Sequence, residues 1–174
     1  MLTANRPADN HHDIELVLYY KDSAKKIKHR ENGPAVIAFN HDRSLLVEQW
    51  YEENRLHRID GPASVMFFPD HDLVIREEWY QDGLLNRCGA PAVTICDHRG
   101  TILCQQWYRH GKLHRVDGPA WIDYQPERNS FKEMWYCQGE LHRENGPAVR
   151  LIINGKTVKR SYYLEGVQKM TSDL

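Results

Sequence analysis

The chain has 174 residues, of which 41% are hydrophobic and 27% are charged, and its formal net charge is -1 at pH 7. This length suits one domain or one unbroken array of small repeats, and the composition is too apolar for a disordered chain. The balanced charge argues against a general polyanion binder and against an acidic mimic of DNA. No apolar stretch approaches the roughly 18 residues of a membrane span, and the start lacks the apolar core of a secretion signal. The sequence therefore predicts a cytoplasmic protein without a membrane span.

Internal repetition is the most informative feature of the chain. One copy reads Trp50-Tyr51, then Leu56-His57-Arg58, then Gly61-Pro62-Ala63, and the same string recurs along the sequence. The steps between the prolines of five copies are 28, 29, 28 and 28 residues. Those prolines are Pro34, Pro62, Pro91, Pro119 and Pro147. A looser first copy starts at Tyr19-Tyr20, and a truncated last copy ends at Gly166.

Each copy predicts strands joined by tight turns. Runs such as residues 35–39 and 102–108 are rich in β-branched and aromatic residues, and Gly, Asn, Asp or Pro bounds them. No segment keeps the 3.6-residue apolar period over the length of a helix. Pairs such as His110-Gly111, after the aromatic pair, predict two-residue hairpins whose central residues have positive φ.

This hairpin register makes a specific prediction about facing residues. It places Trp50 opposite His57 and Tyr51 opposite Leu56. By the same count, Trp107 faces His114 and Trp135 faces His142.

The predicted fold class is all-β, an elongated twisted β-sheet or β-solenoid of about five hairpin repeats with atypical terminal caps. One such hairpin is marginal alone, so neighbouring copies must supply stability. The predicted boundaries are a flexible leader at 1–13, a single β-repeat domain at 14–170 and a tail at 171–174.

The pattern W-Y-x-x-G-x-L-H-R-x-x-G-P-A resembles the MORN-like repeats whose copies carry Leu-His-Arg and Gly-Pro-Ala. Such repeats look common in proteins of bacteriophages, large DNA viruses and bacteria. The resemblance covers residues 14–166 and implies β-hairpin sheets that serve as binding platforms for proteins and sometimes for lipids. The third copy departs most from the pattern, with Asn86 for His, Gly89 for Asn or Asp, and Ala90 for Gly.

Three residue types recur in every regular copy or nearly so, and we interpret these columns as structural because structure repeats with the unit. They are Trp50, Trp79, Trp107 and Trp135; His29, His57, His114 and His142; and Arg30, Arg58, Arg87, Arg115 and Arg143. Each histidine is expected to pack on its facing Trp. The arginines are expected to pair with polar residues just before each Trp, namely Glu48, Glu77, Glu133, Gln49, Glu78 and Gln106.

Alternative interpretations of these columns remain open at this point. A row of arginines can recognise phosphate or carboxylate, and exposed Trp-Tyr pairs can stack on bases. Histidine is a common metal ligand, but equivalent histidines would sit about 10 Å apart with a strand between them, and zinc needs donors about 2 Å from one point. The four cysteines form no CxxC pair, and in a cytosolic chain they should stay reduced as small buried or half-buried side chains. We predict no metal and no cofactor.

Residues that break the repeat are better candidates for binding, because the scaffold does not require them. These candidates are Lys21, Lys25, Lys26, Lys28, His41, Arg43, Phe68, His71, Arg99, Trp121, Glu127 and Arg128. Aromatic and arginine side chains at exposed sites are the usual hot spots of protein interfaces.

The sequence predicts a non-catalytic protein-binding module. Catalytic constellations need unlike residues at one place, and no strand-loop-helix phosphate loop is present, so we predict no enzyme. The resemblance sharpens the hypothesis to a small phage- or virus-type inhibitor or adaptor that docks on a host protein complex. A counter-defence role, in which it blocks a nuclease complex by occlusion or conformational locking, fits this class. The alternative is a nucleic-acid-binding repeat protein that uses the arginine column and exposed aromatics.

Overall fold

A computed structural model of the chain describes residues 14–69 and 73–173. The predicted leader at 1–13 and the candidate His71 lie outside the described residues. The described chain is all-β, as predicted, and its main strands pair antiparallel. It forms two compact units: one contains residues up to Leu84 together with His98–Gly100, and the other contains Leu85–Asp97 and the residues from Thr101 onward.

In the first unit, five main strands lie in sequence order, and a short hairpin extends from the end of β3. The strands are β1 (Glu15–Leu18), β2 (Val36–Phe39), β3 (Leu45–Gln49), β4 (Tyr51–Glu52), β5 (Arg55–Leu56), β6 (Ser64–Phe67), β7 (Val74–Glu78), β8 (Tyr80–Gln81) and β9 (Leu84–Leu85), whose first residue closes this unit. The main strands follow the order β1-β2-β3-β6-β7, and β4 pairs with β5.

The second unit repeats this plan over a longer chain. Its strands are β10 (Val93–Cys96), β11 (Ile102–Gln106), β12 (Tyr108–Arg109), β13 (Lys112–Leu113), β14 (Trp121–Gln125), β15 (Ser130–Met134), β16 (Tyr136–Cys137), β17 (Glu140–Leu141), β18 (Val149–Ile153), β19 (Lys156–Leu164) and β20 (Val167–Asp173). The main strands follow the order β10-β11-β14-β15-β18-β19-β20, and β12–β13 and β16–β17 are short hairpins. A 3₁₀ turn, Pro126–Arg128, joins β14 to β15.

Residues 171–173 differ from the predicted tail, because they continue β20. Thr171 pairs with Ser161, and Asp173 pairs with Lys159. Backbone pairing with β19 orders this segment, whose polar composition alone gives no strand signal.

The predicted hairpin register is confirmed in both units. Tyr51 pairs with Leu56, and the N–H of His57 donates to the carbonyl oxygen of Trp50 at 3.0 Å. The turn between β12 and β13 has φ of 50° at His110 and 77° at Gly111, as two-residue hairpins of this type require.

The alanine that follows each repeat proline forms the centre of the packing. These alanines have 0% exposure, and they are Ala35, Ala63, Ala92, Ala120 and Ala148. Both backbone groups of Ala120 are bonded: its N–H donates to Met134 O at 2.9 Å, and its carbonyl accepts the Trp107 N–H at 2.7 Å. A larger side chain has no room there.

No sheet among the described strands is closed. Within each unit the strand order is linear, so the described strands form open sheets. The solenoid stays a prediction.

Candidate functional site

Four arginines of the repeat, Arg30, Arg58, Arg115 and Arg143, lie over the aromatic ring that begins their own copy. The guanidinium carbon is 4.0 Å from the ring centre for Arg58 on Trp50 and 4.1 Å for Arg115 on Trp107. Arg30 on Tyr19 and Arg143 on Trp135 repeat this geometry at 4.0 and 3.9 Å. This contact is a cation–π stack, which is strongest on Trp.

The same arginines also close the loop that leads to the next strand. Nη1 of Arg58 donates to the carbonyl oxygen of Pro62 at 3.3 Å, four residues along the chain. The equivalent bonds, at 3.1 to 3.4 Å, are Arg30 to Pro34, Arg87 to Pro91, Arg115 to Pro119 and Arg143 to Pro147. The arginine column therefore folds back on its own loop.

The predicted carboxylate and amide partners of the arginine column do not match these contacts. Glu78 instead accepts two hydrogen bonds from Arg76, at 2.9 and 2.6 Å. Glu133 accepts from Arg150. Arg76 lies on the same strand as Glu78, and Arg150 lies on the neighbouring strand directly opposite Glu133. The arginines of the repeat column bond instead to the carbonyl oxygens of their own loops. Glu48 is half-buried, and this burial raises the pKa of its carboxyl, which Arg58 partly opposes.

The repeat histidines link one copy to the turn of the following hairpin. Nδ1 of His57 accepts the N–H of Asp82 at 3.1 Å, and Nδ1 of His114 accepts that of Gln138 at 3.3 Å. His142 receives the Glu165 N–H in the same way at 3.2 Å. Each of these histidines faces the expected Trp, because its N–H donates to the Trp carbonyl oxygen at 3.0 Å, and the arginine lies over one face of that ring.

Asn86, the residue that replaces histidine in the third copy, makes the corresponding contact. Its Oδ1 accepts the N–H of His110 at 3.0 Å. Four members of this column therefore present one acceptor to the next turn, whereas the buried Nδ1 of His29 has no hydrogen-bond partner within the described residues. Among the described residues, no group of three or more His, Cys, Asp or Glu side chains could hold a metal ion.

Between neighbouring copies, the loops after Leu-His-Arg leave open clefts. The first cleft belongs to the first unit and has a volume of about 800 Å³. Its lining residues include His29, Arg30, Glu31, Trp50, Glu52, His57, Arg58, Ile59 and Asp60. Two arginines therefore meet three carboxylates here, and Ile59 is 77% exposed.

The second cleft belongs to the second unit and has a volume of about 380 Å³. Its lining residues include Asn86, Arg87, Cys88, Gly89, Trp107, Arg109, His110, His114, Arg115, Val116 and Asp117. Three arginines meet one carboxylate here, and Val116 is 87% exposed. Nε of Arg115 donates to Asp117 Oδ1 at 3.2 Å, and this bond holds the pKa of the Asp117 carboxyl below its usual value.

The predicted lysine patch lies beside the first cleft, and acidic partners offset part of it. Lys21 forms an ion pair with Glu53, which raises the lysine pKa and lowers that of the carboxyl. Nζ of Lys28 lies 4.6 Å above the centre of the Tyr51 ring. Lys25 and Lys26 are exposed in the turn.

The remaining predicted residues lie in strands or in turns at the opposite ends of the strands from the short hairpins. In the first unit, His41 and Arg43 occupy the turn after β2, half-buried Phe68 follows β6, and Arg99 lies in an exposed turn. In the second unit, exposed Glu127 and Arg128 occupy the 3₁₀ turn.

Trp121 is the first residue of β14. It is half-buried, and its buried indole N–H has no hydrogen-bond partner within residues 14–69 and 73–173. The structure thus does not bring the predicted residues together at one site.

Sequence reasoning missed the exposed residues of the clefts. Ile59 and Val116 directly follow a repeat arginine, and Arg109 and His110 end a hairpin strand and begin its turn. The available signal was their variability: copies differ at these positions, while the surrounding motif is kept.

Comparison with known protein families finds none that matches this chain. Comparison with curated proteins likewise finds no match. Across residues 14–69 and 73–173, none of the helical segments has the length and apolar character needed to traverse a bilayer.

Proposed function

We propose that this protein is a non-catalytic protein-binding module built from MORN-like repeats. The observation that supports it best is the exposure of Ile59 and Val116, at 77% and 87%, at the same loop position of two copies. Each lies next to an arginine held by a ring and a carbonyl, so its loop is ordered. Burying such a side chain against a partner contributes about 1.5–3 kcal/mol.

The finer proposal is a small inhibitor or adaptor that docks on a larger protein complex of a host. It rests on the resemblance of the repeat to those of phage and viral proteins, and a counter-defence role is its sharpest form. A rigid β-surface could inhibit such a complex by covering its functional surface or by holding it in an inactive conformation. A cytoplasmic location belongs to the same proposal.

A nucleic-acid-binding role is the second candidate, and the contacts of the arginine column weigh against it. Base stacking needs a free ring face, and Arg115 occupies one face of Trp107 at 4.1 Å. The carbonyl of Pro119 already takes a hydrogen bond from the same guanidinium. A phosphate stripe along this column would have to displace these contacts.

The test is capture with the tagged full chain from a nuclease-treated lysate of its natural host, at about 0.15 M salt. The captured protein is then purified, and a stoichiometric complex is sought by size-exclusion chromatography with light scattering. Ile59→Asp and Val116→Asp should weaken the complex, whereas Val167→Asp, at an exposed aliphatic side chain of β20, serves as the matched control. Absence of any stoichiometric protein partner at micromolar concentration overturns the proposal.

A further inference from the structure

Three loop residues of the third copy line one wall of the second cleft. Asn86, Cys88 and Gly89 stand where the second copy has His57, Ile59 and Asp60, and all three line this cleft. Asn86 keeps the acceptor role of the histidine that it replaces. Cys88 stands where Glu31 supplies a carboxylate to the first cleft, so this wall of the second cleft has lost a negative charge.

Charge also separates the two clefts. The hairpin beside the first cleft carries Glu52 and Glu53, and the equivalent hairpin beside the second carries Arg109 and His110. The backbone is the same in both, with φ of 48° at Glu53 and 50° at His110. The two hairpin turns therefore share one backbone conformation and differ in the charge of their side chains.

The basic hairpin contains an unfavourable pair. Arg109 lies directly opposite Lys112 in the β12–β13 register. In the second copy, the same register pairs Glu52 with Arg55, which is a favourable combination. Like charges directly opposite each other on paired strands are destabilising, so the Arg109–Lys112 pair reduces the stability of this hairpin. A bound anion would relieve it.

The turn that carries Arg109 and His110 is held in place by hydrogen bonds. The N–H of His110 donates to Oδ1 of Asn86 at 3.0 Å, and the N–H of Gly111 donates to the Leu85 carbonyl at 2.8 Å. The arginine and histidine are therefore presented on a fixed backbone. Val116, at 87% exposure, adds an aliphatic contact in the same cleft.

From these observations we infer that the second cleft binds an acidic segment of a protein partner, with carboxylates at Arg109 and His110 and an apolar side chain on Val116. The inference rests on the proposed function and specifies the chemistry of the partner. A protein segment fits better than nucleic acid, because the cleft joins its positive charge to an exposed aliphatic group, and Arg115 covers a face of the ring that a base would need.

The test uses the ¹⁵N-labelled full chain and a synthetic Glu-Glu-Leu-Glu-Glu peptide. Saturable amide shifts confined to residues 86–89 and 107–117 are expected. Arg109→Glu should weaken peptide binding at least about tenfold. Arg128→Glu removes the same charge from an exposed turn of the same unit and should leave binding unchanged.

Arg109→Glu is expected to fold, because the second copy has Glu52 at this place and the variant pairs a carboxylate with Lys112. Its thermal unfolding midpoint should equal or exceed that of the parent, which verifies folding. A Lys-Lys-Leu-Lys-Lys peptide and a short single-stranded oligonucleotide are the comparison ligands. Absence of peptide shifts, shifts that survive Arg109→Glu, or a response to the oligonucleotide alone overturns the inference.

The outcomes separate this inference from the proposed function. If a stoichiometric protein partner is found and its affinity is unaffected by Arg109→Glu, the binding module stands and the acidic-segment site is wrong. If no protein partner is found but the acidic peptide binds the second cleft through Arg109, the site stands and the inhibitor or adaptor proposal is overturned.

Discussion

The guanidinium carbon of Arg115 lies 4.1 Å from the centre of the Trp107 ring, while Nη1 of the same side chain donates to the carbonyl oxygen of Pro119 at 3.4 Å. One arginine thus joins the start of a hairpin to the loop that leads out of it. This relationship explains why Trp, Arg and Pro recur together at fixed spacing. The motif therefore encodes contacts within one copy that hold the loop against the start of its hairpin.

Replacing Arg115 with alanine should destabilise the second unit. The substitution removes a cation–π contact of about 0.5–2 kcal/mol and a hydrogen bond worth about 0.5–1.5 kcal/mol. We expect a loss of about 1–3 kcal/mol in the free energy of unfolding, measured by urea titration. Arg115→Lys keeps the charge but not the planar fork, so most of the loss should remain. Arg128→Ala, in an exposed turn, is the control, and an equal loss there would contradict the assignment.

Gly61 packs against Arg58, and Gly61→Ala should be mildly destabilising for that reason. A Cβ at Gly61 would lie 2.5 Å from Cζ of Arg58, so the guanidinium would have to shift on the Trp50 ring. We expect a loss of about 1 kcal/mol or less, because Ala90 holds the equivalent place in the third copy, where Arg87 keeps its bond to the Pro91 carbonyl. A double-mutant cycle checks the cause by urea unfolding. In the Arg58→Ala background the Gly61→Ala change should become nearly neutral, and an undiminished loss there would rule out this explanation.

Because His114 acts as a hydrogen-bond acceptor, we expect His114→Asn to be less destabilising than His114→Leu. His114→Asn should change the free energy of unfolding by less than about 0.5 kcal/mol, because Asn86 makes the equivalent bond at 3.0 Å in the third copy. His114→Leu leaves the exposed Gln138 N–H without its side-chain acceptor and should lose about 0.5–1.5 kcal/mol. Chemical denaturation of both variants gives the comparison. Equal losses for Asn and Leu would show that ring packing, and not the acceptor, matters.

Backbone geometry was the most predictable part of this fold. Glycine or asparagine after each aromatic pair defines the hairpin turn, and the turn length alone places Tyr51 opposite Leu56 and Tyr108 opposite Leu113. Alternation of apolar and polar residues then gives the main strands. Both signals are local, so they can be read without knowledge of the neighbouring copy.

Side-chain partners were less predictable, because they depend on direction as well as on sequence distance. Glu48 lies ten residues before Arg58 and has the right charge, but the guanidinium turns to the Trp50 ring and the Pro62 carbonyl. His57 bonds to a turn 25 residues further along the chain. The sequence did not predict the lining of the second cleft for a similar reason. Arg109 and Asn86 come from two different copies and lie in one cleft only when those copies pack together.

Glu48 gives the structure a predictable pH response. Burial raises the pKa of its carboxyl above the usual value, with Arg58 acting in the opposite direction. A carboxyl whose pKa is raised on folding contributes stability below the unfolded-state pKa, about 4.3, and loses it as pH rises through the folded-state pKa. Glu48→Gln does not ionise, so it should raise the urea midpoint at pH 7 and lose that advantage near pH 4. Urea unfolding curves between pH 4 and pH 7 test the sign of this effect, with Glu127→Gln as the exposed control. If the stability of Glu48→Gln relative to the parent falls between pH 4 and pH 7, the charged carboxylate is stabilised by Arg58 instead.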